Sequence, residues 1–267
     1  MGADPDDLAF VTNATTGINT VARSLQLERG DEIVVTDHTY NAARNALETV
    51  AMSAGARLVT ATIRFPDVDD PLEAILRAIP SRTRLLLLDH VLHVRRDRRN
   101  QVRPLVISHG ANSSRTDRDR FRLEHDWTGT FDPSAWLAVP AAIAFGAALL
   151  PGGWPALMGR GHALALYGRD RLCAVLGTLP PVPDDLLGSM AAVPLPELST
   201  DPPDPASDAL SRAFGEARIQ VVVTSWPQRP AAGEPWRRVI RLSATPYTDE
   251  GDLDRLATVL AAHTGAR

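Results

Sequence analysis

Apolar and polar residues fall in alternating blocks over the first 90 positions. The run LAFVTNA, Leu8 to Ala14, predicts a short buried strand. TGINTVARSLQL follows with apolar residues at helical spacing, and Thr15 or Thr16 is placed to cap it. After a turn at Gly30-Asp31, EIVVTDH (Glu32 to His38) predicts a second strand, and Tyr40 to Ser53 a helix that ends near Gly55. ARLVTATI (Ala56 to Ile63) is a third strand, and Asp69 to Ala78 a helix closed by Pro80. TRLLLLDHV (Thr83 to Val91) is a fourth strand. Near-continuous apolar strands alternating with helices predict an α/β fold, a mostly parallel sheet with helices on both faces.

That rhythm fails after Val91. LLLLDHV runs straight into LHVRRDRR with neither turn nor helix, whereas a parallel neighbour needs a crossover connection. Ser108 to Asp126 is irregular and polar. Asp132-Pro133 opens a helix carrying Trp136 to Leu149, Gly152-Gly153 punctuates, and Trp154 to Leu176 is a second, longer helix. The tail has α+β character. MAAVPLP, IQVVVTSW and WRRVIRLSAT predict strands, with helices over Pro205 to Glu216 and Asp252 to Ala262. The expected organisation is a large domain over residues 1–150 and a smaller α+β domain over 151–267.

Composition narrows the function classes. The chain of 267 residues is long enough to bury a sizeable core. All 28 basic residues are arginine and there is no lysine, a bias that a GC-rich coding sequence produces. The net charge of −4, with arginines interleaved among acids, argues against nucleic-acid binding. The single cysteine, Cys173, rules out an intramolecular disulfide and reads as a buried structural thiol. The start MGADPDDLAF lacks the charged and apolar regions of a signal peptide. The apolar stretch from Trp136 to Leu150 is interrupted by Pro140 and is too short for a membrane span. The expectation is a soluble cytoplasmic protein with no membrane partner. His90 and His93, three apart on a strand, would point to opposite faces, so no metal site is expected.

Four segments offer chemistry. The strand-to-helix junction NATTG places N–H donors, Thr15 and Thr16 where a helix start suits a phosphate, although a capped helix alone explains the same residues. His38 and Tyr40, in DHTY, stand at the C-terminal end of a predicted parallel strand, where ligands of open α/β sheets bind. In WTGTFD, Gly129 and Thr130 offer a compact turn of donors for an oxyanion, or a plain loop entering a helix. Arg241, flanked by apolar strand residues, needs a partner if buried, either a ligand carboxylate or an internal acid.

In order, DLAFVTNATTGIN, GDEIVVTDHTYNA, GARLVTATI, RPLVISHGANS, DWTGTFDPSAWLAVPAAI and VIRLSATPYTDEGDLDRL resemble a class V aminotransferase. This is the pyridoxal-phosphate fold type I group that includes cysteine desulfurases. The WTGT-to-WLAVPAAI segment resembles its isopenicillin N epimerase-like members. The resemblance covers nearly the whole chain. It implies that Ala14, Thr15 and Thr16 sit at the cofactor phosphate and that His38, or alternatively Tyr40, stacks on the pyridine ring. It implies that Gly129 and Thr130 reach the phosphate of a neighbouring subunit in a homodimer, and that Arg241 holds an amino-acid α-carboxylate.

The chain also departs from the family. Members continue after the LLLLDHV strand with elements that carry an Asp for the pyridinium nitrogen and a Lys that forms the Schiff base. Neither is present here. The flanks join near Val91–Leu92, as if two βα units of about 60 residues together were missing. Members also carry a segment before GADPDDL. The resemblance therefore implies a truncated fold type I large domain and a smaller α+β C-terminal domain. Pyridoxal phosphate would be held non-covalently and weakly, with no catalytic residue left. The implied ancestral chemistry is epimerisation or elimination on an amino acid. The implied partners are a second copy or an intact paralogue.

Overall fold

The computed structural model describes residues 4–63, 70–88, 96–199, 208–227, 230 and 233–265. It contains two compact units, divided between Ala138 and Val139, ahead of the expected boundary near residue 150.

The first unit is the predicted α/β layer. It comprises α1 (Ala14–Ser24), β1 (Glu32–Thr36), α2 (Asn41–Ala54), β2 (Arg57–Ala61), α3 (Pro71–Arg77) and β3 (Thr83–Leu86). The three strands are parallel in the order β2-β1-β3, with Val34 opposite Val59 on one side and Leu86 on the other. All five residues of β1 are buried, as expected of a central strand covered on both faces. Ile33 and Val35 pack against Ala22 of α1 and Ala43, Leu47 and Ala51 of α2. The residues that end α2 were legible, because Gly55 adopts φ 67° and its N–H reaches back to the Ala51 and Met52 carbonyls.

Two expectations fail here. Leu8 to Ala14 forms no strand. Ala14 already belongs to α1, and among the described residues no strand lies beside Leu8–Val11. A strand exists only with a partner for its ladder, and Phe10 is left 57% exposed. The fourth strand is cut to Thr83–Leu86, extended by one bond from Leu87 N–H to the Val34 carbonyl at 2.9 Å. Among the described residues only β1 pairs with β3, so the other edge of β3 is open. Val91–Leu92, His90 and His93 lie outside the described residues.

The first unit ends with α4 (Arg120–His125) and the short α5 (Ser134–Leu137). The single helix expected from Trp136 to Leu149 is broken at Ala138, and α6 spans Val139–Ala148. Pro140 has no N–H to continue the ladder, which accounts for the break.

The second unit holds α6, α7 (Gly153–Leu176), β4 (Met190–Ser199), α8 (Ala209–Glu216), β5 (Val222–Ser225), β6 (Trp236–Ser243) and α9 (Glu250–Thr264). Its antiparallel sheet has the order β4-β6-β5. One face carries Val193, Ile240 and Leu242, which pack on Leu172 of α7, Phe214 of α8 and Leu256 and Leu260 of α9. Cys173 is buried in this core, and burial pushes its thiol pKa up. Asp249 and Asp252 form a reciprocal capping box that starts α9. No single described helix is long and apolar enough to cross a membrane; the apolar stretch over Ser134–Ala148 and Gly153–Leu176 bends by 74°.

Candidate functional site

The NATTG junction does form a helix start, but its cap is Asn13 rather than Thr15 or Thr16. Asn13 is extended, and its Oδ1 accepts the Thr16 N–H at 2.8 Å and the Thr16 hydroxyl at 3.1 Å. Asparagine ranks with the strongest N-caps, so this signal was present in the sequence. The consequence is chemical. Both Thr16 donors are spent inside the chain, and the donors left at the helix start are the N–H groups of Ala14 and Thr15 and the Thr15 hydroxyl. Ala14 is exposed, while Thr15 and Thr16 are half-buried.

The DHTY segment is a tight turn at the C-terminal end of β1. Thr39 Oγ1 accepts the Thr36 N–H at 3.1 Å, and the Thr39 N–H donates to the Thr36 carbonyl at 3.1 Å. Asp37 is buried. Its N–H donates to the Ala61 carbonyl at 3.0 Å, and its Oδ1 accepts the Ile63 N–H at 2.9 Å. Asp37 thereby ties the ends of β1 and β2 together, a role that no sequence pattern marks. His38 is held between these groups, with Nε2 3.9 Å from Asp37 Oδ1 and a side chain only 21% exposed. Tyr40 sits at the start of α2 and is largely exposed. Of the two ring candidates, His38 is the one fixed at the strand end.

Gly129 and Thr130 lie in an irregular loop, where Gly129 takes φ 136°, a value that favours glycine. Thr130 is exposed. Asp132 closes the loop by accepting the Ser134 N–H at 2.9 Å and the Ser134 hydroxyl at 2.5 Å, bonds that hold its carboxyl below the usual range. A run of rings flanks the loop. Trp127 meets Phe131 at 5.5 Å, Phe131 meets Trp136 at 4.6 Å, and Trp136 stacks on Phe10 at 5.3 Å. Phe10 precedes the NATTG junction by three residues, so this ladder brings two of the candidate segments together within one unit. Nothing in the hydrophobic periodicity marks it, because the contact joins residues more than 120 positions apart.

Arg241 overturns the premise on which it was singled out. It is exposed, not buried. It sits in the central strand β6, opposite Ala192 and Val222, on the face away from the helices. Alternation explains this, because Ile240 and Leu242 take the core face. Among the described residues it has no ion pair or side-chain hydrogen bond, and it stands as an open cation on that sheet face.

A parallel sheet with its turn at the end of the central strand, together with an α+β unit, is the fold of type I pyridoxal-phosphate enzymes. The chain belongs to the class V aminotransferase family. Residues 1–95 match the family model described as aminotransferase class-V. An isopenicillin N epimerase from Streptomyces clavuligerus is 30% identical over 349 residues, covering 99% of this chain and 82% of the relative. Another isopenicillin N epimerase, from Amycolatopsis lactamdurans, is 29% identical over 97% of this chain and 81% of its own. A cysteine desulfurase from Escherichia coli, 16% identical, superposes with a TM-score of 0.69 over 99% of this chain and 80% of that one.

Proteins that use pyridoxal phosphate supply donors at the phosphate, groups around the ring and a lysine amine for the aldehyde. The α1 start offers first-turn N–H groups, but Asn13 has taken both Thr16 donors. His38 offers a ring edge. No lysine exists anywhere in the sequence. The residues present do not fit the cofactor as a covalently held group.

Proposed function

We propose that this chain is a non-catalytic member of the class V aminotransferase family. The absence of any lysine carries this reading. The loss belongs to a larger one, a missing block at Val91–Leu92 that also held the acidic partner of the pyridinium nitrogen. The alignment to the Streptomyces epimerase supports the block, because it runs over 349 positions whereas the chain has 267 residues. The strand order β2-β1-β3 supports it too, because among the described residues no strand pairs the outer edge of β3. The ancestral reaction we assign is epimerisation at an amino-acid α-carbon, after the two relatives. Ala14, Thr15 and His38 of the first unit remain as a weak, non-covalent site for pyridoxal phosphate. The test is to incubate the full chain with pyridoxal phosphate and an amino acid in heavy water and follow α-proton exchange by NMR. The expected outcome is exchange no faster than with pyridoxal phosphate alone. Exchange well above that protein-free rate sinks the reading.

The loop at Gly129 and Thr130, with Thr130 exposed, favours a second role, as a subunit that lends this loop to the phosphate site of an intact paralogue. Co-expression with an intact class V relative should then give a mixed dimer by native mass spectrometry. Recovery of separate species alone refutes that role.

A further inference from the structure

The second unit contains a cavity of about 390 Å³ that shares no residue with the sites above. Its origin is local. Gly152 and Gly153 adopt φ 96° and 65°, which turns the chain sharply between α6 and α7. The two helices diverge from that corner and leave a wedge. Trp154 lines its apex. A Cβ on Gly146 would stand 2.4 Å from Trp154 Cζ2, so the indole is seated directly on the α6 backbone. The indole N–H donates to the Ile143 carbonyl at 3.1 Å, which fixes the ring plane. Phe145, Leu157 and Met158 form the walls, and Pro246 and Ala244 form the floor. Phe145 and Met158 are 67% and 64% exposed, large apolar areas for a folded unit to leave uncovered.

One charge stands at the rim. Arg160 Nη1 donates to the Thr245 and Pro246 carbonyls, both at 3.3 Å, and Nη2 to the Thr248 carbonyl at 2.7 Å. These bonds fasten the guanidinium to the loop after β6, yet carbonyls do not neutralise it. Among the described residues no carboxylate lies within ion-pair distance of it, and Nε has no acceptor. Asp249 and Glu250 line a separate hollow on its other side, where Asp249 is committed to capping α9 through the Asp252 N–H at 3.0 Å. The cavity is therefore apolar, of small-molecule size, fixed at its apex and positive at one edge. Small-molecule sites combine these features: an apolar lining with few placed polar groups.

We propose that this cavity binds a small carboxylic acid with an aromatic or branched apolar body. The body lies against Trp154 between Phe145 and Met158, and the carboxylate meets Arg160 through Nε and the remaining Nη2 hydrogen. The probe is 4-phenylbutyrate, titrated calorimetrically into the full chain, with 4-phenylbutan-1-ol as its neutral counterpart. Saturable one-to-one binding of the acid is expected, with the alcohol about tenfold weaker for want of the charge-assisted hydrogen bond. Ala142→Phe, which fills the wedge, should weaken the acid by at least about tenfold while leaving the circular-dichroism melt unchanged. If that variant does not fold, Met158→Trp serves the same purpose. No saturable heat with the acid, equal affinity for acid and alcohol, or wild-type affinity in a folded wedge-filling variant overturns the proposal.

Discussion

At the scale of the residue, His125 on α4 shows what burial does to a titrating group. Its Nδ1 lies 2.9 Å from the Phe121 carbonyl and must donate to it, so the neutral ring leaves Nε2 as a bare, buried acceptor with no described partner. Phe121 covers the ring at 4.4 Å. Burial pushes the pKa below the ordinary histidine value, against the opposing pull of the Phe121 carbonyl and of Glu124 and Asp126. The folded state then binds fewer protons than the unfolded chain, so stability falls as pH drops below about 6.5 and levels off below the depressed folded value. Urea midpoints measured from pH 7.5 to 5 should decline, and His125→Gln should flatten that decline. An unchanged slope in the variant would assign the decline to other groups.

At the scale of the element, α1 shows how much was legible and why the rest was not. Its existence follows from the spacing of Ile18, Ala22 and their neighbours, a local property. Its cap was misassigned because NATTG contains three residues able to cap, and only the extended backbone at Asn13 separates them. Asn13→Ala should lower stability to urea by about 1 kcal/mol, the usual cost of a lost N-cap. A loss within error would mean that Thr15 or Thr16 takes over. The same division runs through the candidate site. The place of His38 just after β1 was legible because strand ends are local, whereas the Phe10–Trp136 stack joins distant positions and leaves no local trace. The apolar neighbours of Arg241 suggest burial, the condition under which it would need a partner. Alternation placed it on the open face, a rule available in advance but outweighed by the apolar flanks. The helix break at Ala138 was equally foreseeable from Pro140, because the missing N–H there is a local fact.

At the scale of the whole molecule, the two units differ in how completely their elements find partners. The second keeps a three-stranded antiparallel sheet with a core built from α7, α8 and α9. Among the described residues the first has three parallel strands, with no strand beside Leu8–Val11 and β1 alone pairing with β3. The proposed loss of a lysine-bearing block would account for the missing amine and for the unpaired edge of β3 among the described residues together. The predicted strand at Leu8–Ala14 was a sound reading of its residues that failed because pairing depends on a neighbour.

The edge of β3 that no described strand pairs sets how this chain behaves in a crowd. Where its N–H and C=O groups have no partner they offer a template to any other chain, including a second copy, and Leu88 just beyond it is 41% exposed. Recovery after dilution from urea should therefore depend on dose. Light scattering should stay flat at nanomolar protein and rise at tens of micromolar, roughly the range in which exposed edges aggregate. If scattering is the same across that range, the edge is shielded in solution. In a cell the abundance of this chain, as much as its sequence, would then decide whether it persists as a folded protein or is lost to aggregates.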